Sequence, residues 1–406
     1  MSGPLSHLKV LDLSRVMAGP WAGQILADLG AEVIKVERPG AGDDTRGWGP
    51  PFLEAEDGTP TGESGYYLAT NRGKKSITVD LRQPEGQDIV RRLAARSDIL
   101  LENFKVGTLA RFGVEYDALK PVNPRLVYCS ITGFGQTGPR RNQVAYDFLI
   151  QAMGGMMSIT GEEDGRPGGG PQKIGVPMVD LTTGLYAVIG VLAAIARRDQ
   201  GGEGEYIDIG MLDVQTNLLA NQAMNFLLTG NTPRRHGNGH PNIMPQHVFH
   251  CADGDIVLAV GNDGQFRRLC EALGDTDLLN DGRLTENRGR VAHRDELLGR
   301  LADHFAGYTR ADLLARLDAA DVPAGPINSV AEVFAEPQVQ ARGMAGELDH
   351  PTAGKVPQVF SPLKFTETPL TPTAAPPLLG AESDEILKTL GYTDGEIARL
   401  HDQGAI

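Results

Sequence analysis

The sequence predicts an α/β protein built on a parallel, doubly wound sheet. Short apolar strands alternate with helices of about 10 to 15 residues through the first third of the chain, which is the pattern of β-α-β units. The content of 41% hydrophobic and 22% charged residues is that of an ordinary globular protein. The length of 406 residues suffices for two or three domains of roughly 100 to 200 residues each.

The first β-α-β unit lies at the start of the chain. The strand LKVLDLS (8–14) precedes the helix AGPWAGQILADLG (18–30), and the apolar strand AEVIKVER (31–38) follows. The alternation continues through the strand KKSITVDL, the helix PEGQDIVRRLAARS and the strands DILLENF and RLVYCSITGF. Ligands of such sheets gather at the carboxyl ends of strands, here at residues 14–18, Arg38 and residues 103–104.

The rhythm changes after residue 229, where His and Asn are frequent and short strands such as GDIVLAV precede helices such as DELLGRLADHFAGY. We therefore predict a large domain at 1–215, a smaller α/β domain with linkers at 216–335, and a segment at 336–406 that returns to the large domain. That last segment has a Pro-rich connector (368–380) and then one terminal helix, SDEILKTLGYTDGEIARLHDQG.

Charge and cysteine content narrow the class of protein. A net charge of -14, from 52 acidic and 38 basic residues, disfavours nucleic acid and anionic membranes as partners. The three cysteines form no C-x-x-C pair, and the first residues do not resemble a signal peptide, so we expect a cytoplasmic protein. We expect no membrane span either, because Thr182, Thr183 and the sequence RRDQ interrupt the longest apolar stretch.

Two familiar kinds of site are disfavoured. The first β-α turn has Gly19 and Gly23 in a G-x-x-x-G spacing, whereas a dinucleotide site calls for G-x-G-x-x-G. The segment HGNGHPNIMPQHVFH (236–250) has four histidines, but its Gly and Pro residues prevent the helix that would bring two of them onto one face. We therefore predict no metal site, and a Gly-rich substrate loop in this segment.

Several cations follow predicted strands or precede them. Arg38 ends the second strand, Arg72, Lys74 and Lys75 crowd the sequence NRGKKS, and Arg111 follows a strand end by a few residues. If several of these cations converge at one end of the sheet, they form a positively charged site for a phosphate-rich ligand in an otherwise acidic protein. The alternative is a set of solvated surface cations, and the sequence alone does not decide between the two.

Asp180 stands at the head of sixteen residues without a charge. One interpretation is an N-cap, whose carboxylate accepts the amide of Thr182 or Thr183. The other is a nucleophile: the apolar surroundings partly desolvate the carboxylate, while the helix N-terminus keeps it ionised. Such a group suits covalent catalysis on an acyl centre.

Long motifs in a fixed order resemble those of the family III CoA-transferases, among them formyl-CoA and carnitine CoA-transferases, with α-methylacyl-CoA racemase as a relative. The resemblance covers about residues 5–400 and rests on these stretches: LDLSRVMAGPWAGQILADLGAEVIKVERPGAGDDTR, YYLATNRGKKSITVDL, ENFKVGTLARFGV, SITGFGQTGP, YDFLIQAMGGMMSITG, VDLTTGLYAVIGVLAAIARRDQGGEGEYIDIGMLD and APPLLGAESDEIL. It implies a Rossmann-like large domain, a smaller α/β domain, and a homodimer of two interlocked rings.

The resemblance also implies a reaction and a site. Asp180 matches the family's nucleophile, which attacks an acyl-CoA thioester and forms an aspartyl mixed anhydride, so that CoA moves to a small carboxylic acid. Coenzyme A is then a substrate, and no prosthetic group is implied. By position, the CoA contacts are Arg15, Val16, Ala18, Arg38, Lys75, Asn103, Phe104 and Arg111. Because anhydrides hydrolyse, the site must exclude water, and backbone amides at the start of the Asp180 helix are expected oxyanion donors.

Departures from the family pattern bear on the substrate. Met17 stands where formyl-CoA transferases have Gln, which speaks against formyl or oxalyl substrates. Tyr146 precedes Asp147 where the racemases have a His-Asp pair, so one of the two bases that racemisation needs is missing. We expect Met17 and Tyr146 in the acyl pocket.

The Gly-rich loop at 236–242 occupies the place of the formyl-CoA transferases' closing glycine run, and we expect its residues Gly237, Gly239 and His240 in the pocket as well. This loop resembles that of members using succinyl-CoA with dicarboxylate or hydroxy-acid acceptors. Two alternatives stay open at this point: an α-methylacyl-CoA racemase-type isomerase, and a catalytically silent acyl-CoA-binding protein.

Overall fold

A computed structural model describes residues 3–371 and 374–406. In these ranges the strands are β1 (Lys9–Asp12), β2 (Glu32–Glu37), β3 (Phe52–Glu54), β4 (Pro60–Ser64), β5 (Lys74–Thr78), β6 (Ile99–Glu102), β7 (Val127–Thr132), β8 (Tyr206–Gly210), β9 (Gln246–Cys251), β10 (Gly254–Ala259), β11 (Ala324–Pro326), β12 (Ala345–His350) and β13 (Gly354–Val359). The α-helices are α1 (Ala18–Asp28), α2 (Gly65–Leu68), α3 (Pro84–Ala94), α4 (Tyr116–Leu119), α5 (Asp147–Met153), α6 (Met156–Ile159), α7 (Met178–Asp199), α8 (Met211–Asn217), α9 (Ala220–Thr229), α10 (Asp263–Leu273), α11 (Thr276–Asn280), α12 (Asn287–Ala292), α13 (Arg294–Phe305), α14 (Arg310–Ala319), α15 (Val330–Ala335), α16 (Pro337–Ala341), α17 (Ser383–Thr389) and α18 (Asp394–Asp402).

A six-stranded sheet organises the first part of the chain. Its order is β5-β2-β1-β6-β7-β8, and every neighbouring pair is parallel. The predicted parallel α/β sheet is thereby confirmed, and its first five strands lie within the stretches that the sequence indicates. The sixth strand, β8, was not predicted, because its sequence YIDIG is short and leads directly into α8.

Both faces of this sheet are covered, as a doubly wound sheet requires. Successive strand residues point to opposite faces. Leu11 and Leu100 pack in one core with α3, α17 and α18, whereas Val10 and Ile99 pack in the other with α1 and α7. Strands β1 and β6 are therefore apolar on both sides, which explains the continuous apolar runs in their sequences.

Contacts divide the chain into two units. The first comprises Met1–Gly155, Ile174–Ala223 and Pro337–Ile406, and the second comprises Met156–Lys173 and Met224–Glu336. In the second unit, the antiparallel sheet β11-β10-β9 shares a core with α10, α13 and α14. The first unit also has two antiparallel hairpins, β3-β4 and β12-β13. The domain boundaries expected from the sequence stay a prediction.

The C-terminal segment ends in two helices instead of the one predicted. Helix α17 stops before Gly391, whose φ of +92° is a left-handed conformation that glycine adopts most easily. Thr393 then starts α18 with a capping box, since its side chain and that of Glu396 each accept the other residue's backbone amide. Residues 372 and 373 of the predicted Pro-rich connector lie outside the described residues.

Helix α7 corrects the expectation about membrane spans. It is long and apolar enough, by length and composition alone, to cross a membrane, with a mean hydropathy of 1.8. Thr182 does not interrupt it, because its hydroxyl donates to the carbonyl of Met178 at 2.6 Å. This is weak evidence for a span, since Val179, Ala187 and Val191 are buried in the core with α1 and the parallel sheet.

Candidate active site

Asp180 lies in the first turn of α7, and it is not the N-cap. The helix begins at Met178, so Pro177 holds the N-cap position and offers no side-chain bond. The capping carboxylate comes instead from α5: Asp147 Oδ2 accepts the amides of Val179 at 2.8 Å and Asp180 at 3.3 Å. The N-cap interpretation of Asp180 is therefore wrong, and its side chain is not used in capping.

Asp147 is itself held firmly. Its Oδ1 accepts from the Gln151 side chain at 2.6 Å, and the side-chain oxygen Oε1 of Gln151 accepts the backbone amide of Ile174 at 2.9 Å. The carboxyl group is buried, and both of its oxygens accept hydrogen bonds, Oδ1 from α5 itself and Oδ2 from the start of α7. Sequence reasoning noticed Asp147 only as the neighbour of Tyr146, because the residues that it caps are more than thirty positions away.

The helix start does not leave its amides free for an oxyanion, contrary to the expectation. Besides the two that Asp147 accepts, the Met178 amide donates to Val176 at 2.8 Å and the Leu181 amide donates to Pro177 at 3.0 Å. Donors for a developing negative charge must lie elsewhere in the site.

The ionisation of Asp180 also differs from the expectation. Burial, and then the negative charge of Asp147, raise the pKa of Asp180 to about 7. Both effects act against the ionised form, which was expected from the position at a helix N-terminus. Near neutral pH both protonation states are therefore populated.

Asp180 lines a cavity of about 230 Å³ at the carboxyl end of the parallel sheet. Besides the single residues Asp44 and Met211, three segments line it: the turn between β1 and α1, the segment after β6, and the segment that leads from the end of β7 into α5. These contribute Arg15, Val16, Met17, Ala18, Asn103, Phe104, Lys105, Val106, Ile131, Thr132, Gly133, Arg141, Gln143, Val144, Ala145 and Tyr146. The predicted pocket residues Met17 and Tyr146 thus meet Asp180 here.

The turn between β1 and α1 is held in an unusual conformation. Val16 has a φ of +71°, which is costly for a β-branched residue. Its amide donates to Asp43 at 3.2 Å, and Lys35, which is fully buried, bonds Asp43 at 2.8 Å and the Ser14 carbonyl at 3.0 Å. Burial alone would raise the pKa of Asp43, but Lys35 and Thr45 outweigh it and lower the pKa to about 2.

The two glycines of this region serve close packing. A Cβ on Gly19 would lie 2.2 Å from the Ser14 Cβ, and one on Gly23 would lie 2.7 Å from Asp12 Oδ2. Helix α1 therefore lies directly on the end of β1. The G-x-x-x-G spacing has this structural cause, and it gives no support to a dinucleotide site.

A second cavity, of about 190 Å³, adjoins the first through the shared lining residues Arg15 and Phe104. The Arg15 guanidinium lies over the Phe104 ring at 5.0 Å, and Asn103 bonds the Arg15 amide at 2.9 Å. Arg38 also lines this second cavity. So does Arg82, which sequence reasoning missed although it directly follows the predicted strand KKSITVDL.

The other predicted cations are not brought together. Lys74 is buried in an ion pair with Asp12 at 2.9 Å, and Arg72 is buried in an ion pair with Asp28 at 2.8 Å. These two cations therefore neither converge on a ligand site nor lie solvated on the surface. Lys75 lies near the amino end of β5 and pairs with Glu385 at 3.0 Å. Lys75 and Arg111 line neither of the two cavities.

The Gly-rich loop belongs to the second unit. Gly237 has a φ of +55° and donates its amide to Gly161 at 3.1 Å, and Arg294 donates to the carbonyl of His240 at 2.7 Å. Burial, and then Arg294, lower the pKa of His240. Within residues 3–371 and 374–406, no group of three or more His, Cys, Asp or Glu side chains is placed to hold a metal ion.

Comparison with known proteins gives consistent matches. The sequence profile described as CoA-transferase family III matches residues 5–383. A succinate–glutarate CoA-transferase of Agrobacterium fabrum is 50% identical over 95% of this chain and 96% of its own length. A succinyl-CoA:glutarate CoA-transferase of Homo sapiens is 42% identical over 99% of this chain and 90% of its own. The crystal structure of a CAIB/BAIF family protein from Brucella suis superimposes with a TM-score of 0.83, at 47% identity, covering 96% of this chain and all of that one.

Proposed function

We propose that Asp180 is the acyl carrier of this protein and that its acid substrates are small dicarboxylates. The premise is that the chain belongs to CoA-transferase family III and transfers CoA from an acyl-CoA to a carboxylic acid. One observation carries the proposal: a carboxyl group with a pKa raised to about 7 lines a small cavity at the carboxyl end of the sheet. The named substrates of the two curated relatives, succinate and glutarate, are dicarboxylic acids, which supports the substrate class.

Coenzyme A would span the two adjoining cavities. Arg38, with Arg15 and Arg82, would bind its phosphates in the second cavity, because these cations suit phosphate oxygens. The pantetheine arm would run alongside Arg15 and Phe104, which stack on each other and line both cavities, and reach Val16, Ala18 and Asn103 beside Asp180. Lys75 and Arg111 have no part in this proposed placement.

The proposed reaction proceeds through acyl groups on Asp180. Its carboxylate oxygen attacks the thioester carbonyl, the carbon–sulfur bond breaks, and CoA leaves as a thiolate, so that a mixed anhydride forms. The thiolate then attacks the aspartyl carbonyl, which gives an aspartyl-CoA thioester and releases the first acid. The acceptor carboxylate attacks the aspartyl-CoA thioester, which forms the second anhydride and releases CoA as a thiolate. The thiolate then attacks the acyl carbonyl of the acceptor, so that the new acyl-CoA forms and the Asp180 carboxylate is regenerated.

The oxyanion donors that we propose lie at the start of α1. The first bond of this helix joins the amide of Trp21 to the carbonyl of Met17, so the amides of Ala18 and Gly19 precede the intrahelical ladder. Met17 offers no side-chain cap, and both Met17 and Ala18 line the cavity with Asp180. A negative charge that develops there would be stabilised by the positive end of the helix.

The assembly that we propose is a homodimer in the cytoplasm. Large apolar side chains are exposed on α9, where Leu227 and Leu228 are more than 70% accessible, and on α15, where Val330 is 76% accessible. Exposed apolar surface of this kind commonly marks an interface between subunits. The described cysteines are free and buried, as in a reducing compartment. Interlocking of the two chains, and the pocket roles of Gly237, Gly239 and His240, rest on the resemblance alone.

An acceptor screen tests this function. The purified protein is incubated with succinyl-CoA and a panel of carboxylic acids in heavy water, and the CoA esters are identified by mass spectrometry. We expect new dicarboxylyl-CoA esters, no deuterium at the α-carbon, and loss of transfer by orders of magnitude in Asp180→Asn. Asp199→Asn, at the exposed end of the same helix, is the matched control. Transfer that survives in Asp180→Asn would refute the proposal, and α-deuteration without transfer would favour an isomerase.

A further inference from the structure

The segment between β7 and α5 forms one wall of the cavity that holds Asp180. Residues Gly133, Arg141 and Tyr146 of this segment line the cavity. A turn fixes its middle, because the Arg141 amide donates to Gly138 at 3.4 Å and the Gln143 amide donates to Arg140 at 2.8 Å. The turn places two neighbouring arginines differently, since Arg141 lines the cavity and Arg140 does not.

The cations of this cavity differ in their engagement. Arg15 lies 3.5 Å from Asp44 and over the Phe104 ring, so its charge is partly used. Lys105 lines both this cavity and a separate one that extends toward Tyr116. The guanidinium of Arg141 has no ion pair or side-chain hydrogen bond with any residue in the described part of the chain. Arg140, by contrast, donates to the Gln143 side chain at 2.9 Å.

A dicarboxylic acid brings one negative charge more into this cavity than the reaction needs. Asp44 and Asp180 also line it, so an unpaired second carboxylate of the substrate would be repelled by like charges. An arginine is the best side chain to bind this second carboxylate, because its planar guanidinium donates two parallel hydrogen bonds to a carboxylate.

We propose that Arg141 binds the carboxylate of the substrate that does not react, and thereby selects dicarboxylic over monocarboxylic acids. This inference rests on the proposed function, because it assumes that the acyl group occupies the cavity of Asp180. It names a specificity-determining residue, and it leaves the chemical steps on Asp180 unchanged.

The test compares two acceptors of equal length. Glutarate has two carboxylates, whereas in glutaramate, its monoamide, a neutral amide replaces one of them. With succinyl-CoA at a fixed concentration, Arg141→Gln should lower kcat/KM for glutarate by about 10- to 100-fold, the loss of one charged hydrogen-bonded pair. For glutaramate the change should stay within about threefold. Arg140→Gln is the matched control and should change neither value, and Arg141→Lys should restore part of the glutarate rate.

Equal losses of kcat/KM for both acceptors would show that Arg141 merely supports the loop. No loss of kcat/KM for either acceptor would show that Arg141 does not contact the acid. Either result overturns the inference. Ligand-observed NMR titration gives a second readout that does not depend on turnover: Arg141→Gln should weaken glutarate binding at least about tenfold and leave glutaramate unchanged. If the wild-type protein binds glutarate through Arg141 but transfers no CoA, the proposed function fails and the assignment of Arg141 stands.

Discussion

At the scale of single residues, two carboxyl groups near the start of α7 have different tasks. Asp147 faces the helix amides and is buried, whereas Asp180 lines the cavity. Burial, and then the charge of Asp147 at the short distance that capping imposes, raise the pKa of Asp180. Asp147 therefore caps α7 and raises the pKa of Asp180, the proposed nucleophile, from the same position.

This pairing predicts a pH dependence. Only ionised Asp180 can attack a thioester, so kcat/KM for the acyl-CoA should fall about tenfold per pH unit below its pKa of about 7. Asp147→Asn keeps an accepting oxygen but removes the like charge, which should move the midpoint of the pH profile to lower pH. Asp44→Asn removes a charge from the same cavity that does not perturb Asp180, and should leave the midpoint in place. An unmoved midpoint in Asp147→Asn would contradict the pairing.

A second prediction separates two cations that the resemblance treats alike. Arg38→Ala should raise the KM for acyl-CoA several-fold, and more at low than at high salt, because screening weakens a phosphate ion pair. Lys75→Ala should change the KM little, since Lys75 pairs with Glu385 and Glu32 and lines neither cavity. Steady-state kinetics at two ionic strengths decides, and equal effects of the two substitutions would contradict the placement of CoA.

Motifs made some site residues predictable and left others hidden. Asp180, Met17 and Tyr146 could be named from the sequence, because each belongs to a contiguous stretch with a recognisable neighbourhood. Asp147 as a cap and Arg141 as a cavity residue could not, since their roles depend on segments that meet only in the folded chain. The raised pKa of Asp180 was missed for the same reason.

At the scale of elements, the approach of α7 to α1 sets the shape of the site. A Cβ on Gly184 of α7 would lie 2.7 Å from the carbonyl oxygen of Ala18 and 3.0 Å from the Trp21 ring. Because Gly184 has no side chain, the first turn of α1, which lines the cavity, can lie directly against α7. Any displacement of Ala18 would change its distance from Asp180.

Two glycine substitutions in α7 test this contact. Gly184→Ala should destabilise the fold by about 1–3 kcal/mol through overpacking against backbone, and should lower kcat as well. Gly190→Ala is the control, because its Cβ would meet Ile207 at an ordinary 3.5 Å, and it should stabilise by about 0.5–1 kcal/mol. Thermal unfolding and turnover of both variants give the answer, and equal stabilities would show that the contact is not tight.

The elements themselves were largely predictable from periodicity. Strands β1, β2, β5, β6 and β7 are short apolar runs, and their short length and alternation with longer helical segments identified them as strands. The break between α17 and α18 was missed, although TDGE has the T-x-x-E pattern of a capping box and follows a glycine. The sequence has helical periodicity on both sides of Gly391, and this concealed that the chain ends one helix and begins another at this point.

At the scale of the whole molecule, the acidic balance explains how the cations are distributed. With a net charge of -14, many of the arginines and lysines pair with carboxylates, and several such pairs are buried, among them Lys35–Asp43 and Lys74–Asp12. Anionic ligands would depend on the few cations left at the cavities: Arg38 for the phosphates of CoA and Arg141 for the carboxylate of the acid, as proposed above. Overall charge could be read from composition, whereas this division between structural and available cations could not.

The proposed assembly gives a prediction at this scale. Two interlocked chains cannot separate while they stay folded, so light scattering and circular dichroism should show a folded dimer down to nanomolar concentration. Dimer mass and ellipticity should be lost together in denaturant. A folded monomer on dilution would contradict interlocking, although it would leave the chemistry at Asp180 untouched.

The most direct test of the account is covalent capture of the acyl group. Protein incubated with succinyl-CoA alone is quenched with hydroxylamine and digested, and its peptides are mapped by mass spectrometry. We predict a hydroxamate on Asp180 in the wild-type protein and none in Asp180→Asn. A hydroxamate on another acid, such as Asp147 or Asp208, or wild-type turnover without any captured adduct, would contradict the assignment of Asp180 as the acyl carrier.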